Sequence, residues 1–466
     1  MFIGAIPKQV AEQIVTSVPF GDWGEIYLCC SGSFRMEQAI GAAFPHVPIH
    51  SNDVSLYSTA IGQLALQKPI TLTFRSRLAF VEDLLKGADF LTRVSAVLVA
   101  HDMSKFVGKN EYAKKHFSYY EIHFAELLEK AVGKLTKVMP EIRIAEYFAG
   151  DWRLHAERAI EAGAGIAAFP PFFMGDYEKQ YAFLEDSIAW EAPSYDLYDP
   201  KQLDGLLTHF EETSTPYCVV SDQLWEHRKP VMEYVTGRKK PHYGYWSGRS
   251  SVRHIFNKPQ PFRYKPIEVS KITAASKITI TLADAKHMNF LKDVYLAKGI
   301  IHSTGMMNFM IFIDGMLVGG IIYALAKYGN RHSIYLLSDV TISSEGKLSK
   351  LVALIATSRT LVRLVEKKVM DRIDEVVTTA RSKNAVSMKY RDIYELASRR
   401  PSDVPEEGNI LQYHSAVREQ TPQELFEFWH RKYHVSKQPT AKRQRRGRGD
   451  SRRSGDESLP DEPQDA

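Results

Sequence analysis

The sequence of 466 residues predicts an α/β protein of two domains followed by a charged tail. Three observations support this prediction. Short apolar runs alternate with stretches of helical periodicity, one early run passes through a small-residue loop into a helix, and a later Asp-Gly pair joins two apolar runs. Hydrophobic residues make up 44% of the chain and charged residues 25%, which is typical of globular domains with sizeable cores.

Composition excludes several classes of protein. The three cysteines include an adjacent pair, Cys29 and Cys30, and no Cys/His spacing resembles a zinc site, so we expect a reducing compartment and no metal. No apolar run reaches the roughly 18 residues that cross a bilayer, and the N-terminus lacks a signal-peptide core. We therefore expect a cytoplasmic protein without a membrane partner. The formal net charge of +5 is too small to predict a nucleic-acid partner by itself.

The pattern of elements predicts where the domains begin and end. The expected division is a first domain at 1–225 with a helical insertion at about 74–138, a basic aromatic linker at 226–275, a second domain at 276–432, and a disordered basic-then-acidic tail at 433–466.

The first domain opens with a strand, a loop of small residues and a helix. The apolar run 25–30 predicts a buried strand, and Ser31, Gly32 and Ser33 then turn the chain. Small residues allow the backbone to approach a cofactor, and the next strand ends at Asp53, whose carboxylate can accept hydrogen bonds from ribose hydroxyls. This opening is typical of a Rossmann-like domain. A plain βαβ unit with Asp53 as a helix N-cap is the alternative.

The middle of the first domain predicts helices and then further strands. Residues 74–138 have mostly helical periodicity, and we interpret His101 and Asp102 there as a structural cap or surface pair, because adjacent helical residues do not face each other. An alternating stretch then leads to Asp151. A short buried strand at 217–222 is the expected fifth strand of the sheet.

A Pro-Pro-aromatic run follows the strand at 162–168. Pro170 and Pro171 must end strand pairing and stiffen the chain at a strand's carboxyl end, where open α/β sheets bind ligands. Pro170 keeps a free carbonyl acceptor and Phe172 provides an aromatic ring. Phe169, which precedes the prolines, cannot accept a hydrogen bond. The alternative interpretation is a strand exit packed into the core.

These residues, in this order, resemble the methyltransferases that modify the exocyclic amine of adenine, whose signature is Asp/Asn-Pro-Pro-aromatic. Phe169 departs from that signature. The resemblance implies a base flipped out of the duplex and S-adenosylmethionine as cofactor. By the same resemblance, the adenine site comprises Pro170, Pro171 and Phe172. The implied cofactor site comprises Ser31, Gly32, Ser33, Asp53 and Asp151.

The segment after the fifth strand combines cations with aromatic rings, which is typical of surfaces that pair with phosphates and stack on bases. We predict contact with double-stranded DNA here. The alternative is a solvated linker whose aromatic residues pack inward. The residues concerned are Arg228, Lys229, Arg238, Lys239, Lys240, Tyr243, Tyr245, Trp246, Arg249, Arg253 and His254.

The second half predicts a strand, a helix, a hairpin through Asp314-Gly315, a strand, a loop leading into a long helix to about Glu366, another strand, and a helix at about 388–396. This succession resembles the GNAT acyltransferase fold. GNAT proteins direct a helix N-terminus and free amides at the pyrophosphate of acyl-coenzyme A, so the resemblance implies possible acetyl-CoA binding by Gly346, Lys347 and Ser349.

Three short motifs, at 337–339, 346–350 and 387–391, resemble the phage Mom family of GNAT-like proteins that modify adenine in DNA. That resemblance implies a site at Asp339, Ser349 and Tyr390, with Tyr390 as a hydrogen-bond donor or general acid.

Both resemblances converge on the adenine amine. We therefore predict a phage antirestriction enzyme that modifies adenine in the host cytoplasm, by methyl transfer in the first domain, by Mom-like modification in the second, or by both. One alternative is a degenerate first domain that only reads DNA for the second. Another is a non-enzymatic DNA-binding decoy with vestigial cofactor folds. The basic tail could track DNA phosphates or only solubilise the chain.

Overall fold

The computed structural model describes residues 6–434, apart from 109, 173–175, 236–240, 249–252, 256–261, 297–304, 327, 331 and 403–407. An eight-stranded sheet in the first part of the chain and a seven-stranded sheet in the second confirm the predicted two-domain α/β architecture. Within the described ranges, no helix is long and apolar enough to cross a bilayer.

Among its described residues, the first domain has ten strands, of which eight form the main sheet in the order β10-β8-β9-β7-β5-β1-β2-β4 and two form a small ladder, β3-β6. The strands are β1 (Ile26–Cys29), β2 (Ile49–Asp53), β3 (Thr73–Phe74), β4 (Glu146–Ala149), β5 (Gly165–Ala168), β6 (Ile188–Ala189), β7 (Tyr217–Ser221), β8 (Met232–Val235), β9 (Pro241–Trp246) and β10 (Arg253–Ile255).

Helices cover the sheet and form the insertion. They are α1 (Lys8–Ser17), α2 (Arg35–Ala43), α3 (Leu56–Ala65), α4 (Ala79–Leu84), α5 (Phe90–Ser104), α6 (Glu111–Ile122), α7 (Phe124–Val138), α8 (Trp152–Ala162), α9 (Asp176–Ser187) and α10 (Leu203–Glu212). Local chemistry sets several helix starts. For example, the Ser55 side chain accepts a hydrogen bond from Ser58 N at the start of α3.

The strand order creates a switch point at the centre of the main sheet. β1 pairs in parallel with β2 on one side and with β5 on the other. The order of the strands therefore reverses at β1, and the connections on its two sides run in opposite directions. Ligands of open α/β sheets bind above the carboxyl ends of strands at such a point. A ligand site is therefore expected at the loops that follow β1, β2 and β5.

The segment predicted as a linker at 226–275 is instead part of the first domain. It provides β8, β9 and β10, with β9 running antiparallel between β7 and β8. Tyr243, Tyr245 and Trp246 are at most 9% exposed, so these rings belong to the core and do not form a stacking surface. Arg228 pairs with Asp204 and Glu211.

Four other members of the predicted DNA-contact set, Arg238, Lys239, Lys240 and Arg249, lie outside the described residues, and for Arg253 and His254 only the backbone of β10 is described. The basic, aromatic and glycine-rich composition of the segment produced the linker prediction, although aromatic residues are also typical of strands.

The second domain is one sheet, in the order β11-β12-β13-β14-β15-β17-β16. Its strands are β11 (Ile278–Leu282), β12 (Met307–Ile313), β13 (Met316–Leu325), β14 (Ser333–Thr341), β15 (Glu375–Ser382), β16 (Glu395–Pro401) and β17 (Asn409–Ala416). Its helices are α11 (Ala285–Tyr295), α12 (Leu348–Ile355), α13 (Arg359–Val369) and α14 (Pro422–Trp429). Asp314 and Gly315 have φ of 48° and 75°, which is the turn that the Asp-Gly pair predicts.

Two helix predictions in this domain were wrong. The long helix predicted to reach Glu366 is broken into α12 and α13. The predicted helix at 388–396 is a turn followed by β16. Asp392 has φ of 70°, which a helix does not allow, and the buried rings of Tyr390 and Tyr394 hold the turn against the core.

β14 and β15 separate along their length. They pair in parallel only at Ser333–Tyr335 with Glu375–Val377, although both strands continue further. Across β13, the register shifts so that Ser338 and Leu336 oppose consecutive residues, which leaves Leu337 as an extra residue in β14. The later half of β14, which carries Asp339, therefore lies beyond the part of the strand that pairs with β15.

The insertion of the first domain contacts the second domain. Lys115 on α6 makes an ion pair with Asp371 at 2.6 Å, and His116 Nε2 lies 3.0 Å from the Lys368 carbonyl oxygen near the end of α13. At the other end of the second domain, Tyr433 is 7% exposed and belongs to a short π-helix, His430–His434. The folded domain therefore extends past the predicted boundary at 432. The remaining tail, 435–466, lies outside the described residues.

Candidate functional sites

The loops after β1 and β2 are tied to each other at the switch point. Ser31 N donates to the Asn52 carbonyl at 2.8 Å, and Gly32 N donates to Asp53 Oδ2 at 2.9 Å. Asp53 Oδ1 accepts from Ser55 N at 2.9 Å. Asp53 is 5% exposed, so it first of all anchors the loop, although each carboxylate oxygen has more than one lone pair to offer.

The loop after β4 joins this group. Gly150 N donates to the Asp53 carbonyl at 3.3 Å. Asp151 caps α8 by accepting from Arg153 N at 2.9 Å and also pairs with the Arg153 guanidinium. Burial acts to raise the pKa of Asp151, but the hydrogen bonds and charge of Arg153 outweigh it and hold that pKa below its ordinary value. The carboxylate is thus ionised, and it is stabilised by its hydrogen bonds and ion pair with Arg153.

The Pro-Pro-aromatic run starts directly beside β1, because Phe169 N donates to the Cys29 carbonyl at 3.2 Å. The Phe169 ring packs against the hydrophobic cluster that contains Ala167 and Met232. Phe172 is half-buried, and its ring lies edge-on to His242 at 4.5 Å between centroids. The loops after β1, β2, β4 and β5, which carry the predicted residues, therefore lie at the same edge of the sheet, and Phe169 has a packing role.

Sequence reasoning missed a buried carboxyl beneath this loop. Glu37 on α2 is fully buried, and its Oε1 accepts from Ser51 Oγ at 3.2 Å. Burial raises the pKa of Glu37 to about 7, against hydrogen bonds that lower it. An acidic residue in the first turn of a helix is normally an exposed dipole partner, so the sequence alone gave no signal for this position.

A second candidate site lies beside the later half of β14. Tyr390 Oη donates to Asp339 Oδ1 at 2.9 Å, and Lys389 Nζ lies 2.8 Å from the same oxygen. Lys389 Nζ also donates to the Asp339 carbonyl at 2.7 Å. Asp339 is 8% exposed, and its Oδ2 has no hydrogen-bond partner among the described residues. One carboxylate oxygen is therefore held in place, while the other is buried without a partner among the described residues.

Tyr390 is a donor in this group. Burial first, and the Asp339 charge next, raise the pKa of Tyr390 well above its ordinary value, so the phenol keeps its proton. The structure brings Asp339 and Tyr390 together as the sequence predicts. It adds Lys389, which the sequence analysis did not choose although it stands inside the 387–391 motif.

The predicted phosphate loop lies at the start of α12. Gly346 and Lys347 both have left-handed backbone, with φ of 59° and 57°. Ser349 follows in the first turn of α12 and is half-buried. The next residue, Lys350, donates to the Arg391 carbonyl in the loop that carries Lys389 and Tyr390. The phosphate loop and the Asp339 group are thus linked through one side chain.

Comparisons with known proteins agree with this division. A family model described as phage DNA adenine methylase-like domain 1 matches residues 2–272, and one described as a phage GNAT-like domain matches residues 275–434. No curated protein matches the sequence.

Several solved structures match about 30% of the chain at low similarity. Ard1 from Thermoplasma volcanium is 13% identical, with 30% of this chain and 99% of that chain covered and a TM-score of 0.22. The putative acetyltransferase yncA from Salmonella typhimurium, whose structure contains its cofactor acetyl-CoA, is 13% identical, with 31% of this chain and 95% of that chain covered and a TM-score of 0.22. The aminoglycoside 6'-N-acetyltransferase from Enterococcus faecium is 12% identical, with 30% of this chain and 98% of that chain covered and a TM-score of 0.22.

The methylase-like model covers more than half of the chain, and the GNAT-like model covers most of the remainder. Both descriptions are of transferase-like domains. The chain belongs to the phage DNA adenine methylase-like family and carries a phage GNAT-like domain behind its methylase-like domain.

Proposed function

We propose that this protein is a phage antirestriction transferase that modifies the exocyclic amine of adenine in double-stranded DNA in the host cytoplasm. We assign the chemical step to the second domain. The observation that carries this assignment is Asp339, which is buried, held by Lys389 and Tyr390 through Oδ1, and left with Oδ2 unpartnered among the described residues.

An adenine amine is a weak nucleophile because its lone pair is delocalised into the ring. A hydrogen bond from the amine to Asp339 Oδ2 would favour localisation of that pair, and the same oxygen is the chain's acceptor for the proton released when nitrogen forms its new bond. Lys389 and Tyr390 fix the carboxylate so that it need not reorient. The roles of these three side chains do not depend on which group is added.

The residues of the phosphate loop suit an acyl-coenzyme A. Two successive left-handed residues, Gly346 and Lys347, precede the N-terminus of α12, and the ladder between β14 and β15 ends at Tyr335 and Val377, before Asp339. Gly346, Lys347 and Ser349 would hold the pyrophosphate. Acetyl-CoA, when bound, supplies an acyl group activated as a thioester.

The first domain supports recognition of the base. Phe172 stays half-buried at the sheet edge, where it is available as a stacking partner, while Phe169 in the core provides no acceptor for the amine. A base reader that feeds the second domain accounts for both features.

Methyl transfer from S-adenosylmethionine in the first domain is the second candidate. Its support is the concentration of acceptors at the switch point: Asp53, Asp151 and the buried Asn52 Oδ1, which has no hydrogen-bond partner among the described residues. These groups suit a cofactor that brings an ammonium, ribose hydroxyls and an adenine amine as donors. Ser31, Gly32 and Ser33 would lie along it.

The test is mass spectrometry of nucleosides from DNA co-expressed with the protein. We expect an adenine derivative heavier than methyladenine, and we expect Asp339→Asn to lower its yield by about a hundredfold or more, which is the range for lost proton transfer. Asp392→Asn is the matched control, because Asp392 is an exposed carboxylate on the same loop as Tyr390.

Each other product pattern has a distinct meaning. Methyladenine that persists in Asp339→Asn and disappears in Phe172→Ala would move the chemistry to the first domain. Unmodified DNA with the wild-type protein would contradict both enzymatic candidates and leave the DNA-binding decoy as the function to pursue.

A further inference from the structure

The second domain contains a cavity that has no part in the proposed function. Its volume is about 630 Å³, which is within the range of small-molecule sites, roughly 300 to 1,000 Å³. Arg418, which follows β17, lines one side of it. The other side is formed by α14 and the turn after it, through residues that are three or four positions apart and so share one face of the helix: Glu424, Glu427, Phe428 and Arg431.

Arg418 provides the observation that indicates a ligand. Its side chain is half-buried, and its Nε is buried with no hydrogen-bond partner among the described residues. Nη2 donates to the Ile393 carbonyl at 3.3 Å, but the guanidinium forms no ion pair with a carboxylate in the described part of the chain. Buried charges are normally paired, because withdrawing a charge from water without a counter-ion destabilises the fold.

Two acidic groups near Arg418 do not supply the missing anion. Burial above all raises the pKa of Tyr394 well above its ordinary value, although the charge of Arg418 acts to lower it, so the phenol stays neutral. Glu424 is ionised, because hydrogen bonds from Thr421 hold its pKa below the ordinary value. Those bonds, at 2.7 and 2.9 Å, commit its Oε2 to the start of α14.

The rest of the lining defines the class of ligand. A carboxylate matches a guanidinium in shape and can accept hydrogen bonds from Nε and one Nη at once. Leu425 and Phe428 add apolar groups to the lining. The lining has two glutamates for its two arginines, and burial lowers the pKa of His430, so the cavity carries no net charge at neutral pH. A doubly charged phosphate is therefore not favoured.

We propose that this cavity binds a small monocarboxylate with an apolar body, and that the ligand's carboxylate pairs with Arg418. The pairing gives the guanidinium its missing anion, and the apolar body packs against Leu425 and Phe428. The site is separate from the Asp339 group, although Arg418 contacts the turn that carries Tyr390 through the Ile393 carbonyl. A carboxylate of the chain's own acidic tail has the same chemistry as a free one, and the experiment below distinguishes the two sources.

Calorimetry of the full-length protein with phenylacetate as the probe tests the proposal. We expect the wild type to bind phenylacetate and Arg418→Met to weaken this binding about tenfold to a hundredfold, because charge-assisted hydrogen bonds are lost. Phenylacetamide, which has a similar shape and no charge, should bind the wild type as weakly as phenylacetate binds the variant. Arg363→Met, at an exposed position of α13 outside the cavity lining, is the matched control and should leave the affinity unchanged.

A second variant tests the cavity without touching Arg418. Glu427 is exposed on α14, so Glu427→Gln should fold normally. It removes one negative charge from the lining and should tighten phenylacetate binding about twofold to fivefold. Phenyl phosphate, which carries a second negative charge, should bind the wild type more weakly than phenylacetate does.

Thermal melting separates binding from folding. Without a probe, Arg418→Met should melt at or above the temperature of the wild type, because the change removes an unpaired, partly buried charge. Phenylacetate should raise the melting temperature of the wild type and leave that of the variant unchanged. A lower melting temperature of the variant, together with no effect of phenylacetate on the wild type, would show that the guanidinium is structural and would overturn the proposal.

Other results would also overturn it. Equal phenylacetate affinity in the wild type and in Arg418→Met would remove Arg418 from any carboxylate site, and unchanged affinity in Glu427→Gln would place the probe outside this cavity. Tighter binding of phenyl phosphate than of phenylacetate would assign the cavity to phosphates. Phenylacetate binding that appears only after deletion of the chain beyond Lys437 would make a carboxylate of the tail the occupant.

Discussion

Replacing Glu37 with glutamine should stabilise the first domain at pH 8 and have little effect at pH 5. Glu37 is fully buried, and its pKa is raised from 4.5 to about 7, with burial as the largest cause. The folded state therefore favours the protonated form. The resulting loss of stability is absent below the unfolded pKa of 4.5, grows as the pH rises, and is complete above the folded pKa of about 7.

The magnitude follows from the shift. One pKa unit corresponds to about 1.4 kcal/mol, so ionised Glu37 costs roughly 3 kcal/mol of stability at pH 8. Glutamine avoids this cost, and its amide oxygen can still accept the hydrogen bond from Ser51. A gain of that size corresponds to a rise in melting temperature of roughly 5 to 10 °C for a domain of this size.

Thermal melting followed by circular dichroism from pH 5 to pH 8 measures the effect. Glu161→Gln is the control, because Glu161 is exposed on α8, and its melting curve should follow the wild type at every pH. A Glu37→Gln gain that is equal at pH 5 and pH 8 would refute the assignment of the effect to ionisation. A lower melting temperature at pH 8 would show that the carboxylate has a partner that the hydrogen bonds around it do not reveal.

Three further predictions concern other parts of the chain. Asp53→Ala should weaken S-adenosylmethionine binding about tenfold to a hundredfold in calorimetry, and should also lower the melting temperature because Gly32 N loses its acceptor; equal affinity would remove Asp53 from the cofactor site. Gly319→Ala should destabilise the second domain by about 1 to 3 kcal/mol in urea unfolding, because its new Cβ would lie 2.0 Å from a backbone oxygen of β14. The control is Gly205→Ala on α10, whose new Cβ would meet nothing within 4 Å, so this change should be neutral or stabilising. Deleting the chain after Lys437 should make duplex-DNA affinity less dependent on salt, because phosphate contacts are lost, and an unchanged slope would mean that the tail only solubilises the protein.

The contact between the domains bears on the proposed transfer of a base from reader to catalytic site. The ion pair between Lys115 and Asp371 and the contact of His116 with the Lys368 carbonyl join the insertion to α13. Both interactions are partly exposed, so each contributes modestly to stability. They nevertheless hold the insertion against the second domain. The sequence alone indicates the insertion only as additional helices.

Local signals in the sequence were sufficient for the type of most elements. The Asp314-Gly315 pair specifies a turn with two left-handed residues, and the structure has that turn. The prolines at 170 and 171 end β5, because they cannot continue its ladder. The order of motifs along the chain also indicated both families, since each motif is a short run of neighbouring residues.

Local signals failed where a segment's environment decided its form. The run Pro241–Trp246 supplies the aromatic rings of the predicted nucleic-acid surface, but pairing with β7 and β8 buries these rings in a sheet. The stretch around Tyr390 has helical spacing, yet its aromatic rings reach the core only as a turn, which Asp392 permits by adopting positive φ. Tertiary packing outweighs intrinsic propensity in both cases.

The sequence by itself determined the α/β class, the two domains and the residues after the strands that meet at the switch point. Only the tertiary structure decided how those residues are used. Phe169 is partly buried and packs against the core, while Lys389 donates to Asp339, 50 residues away in the chain. The physical reason is that secondary structure depends on neighbouring residues, whereas a side chain's partner and the availability of its polar atoms depend on contacts between distant parts of the chain.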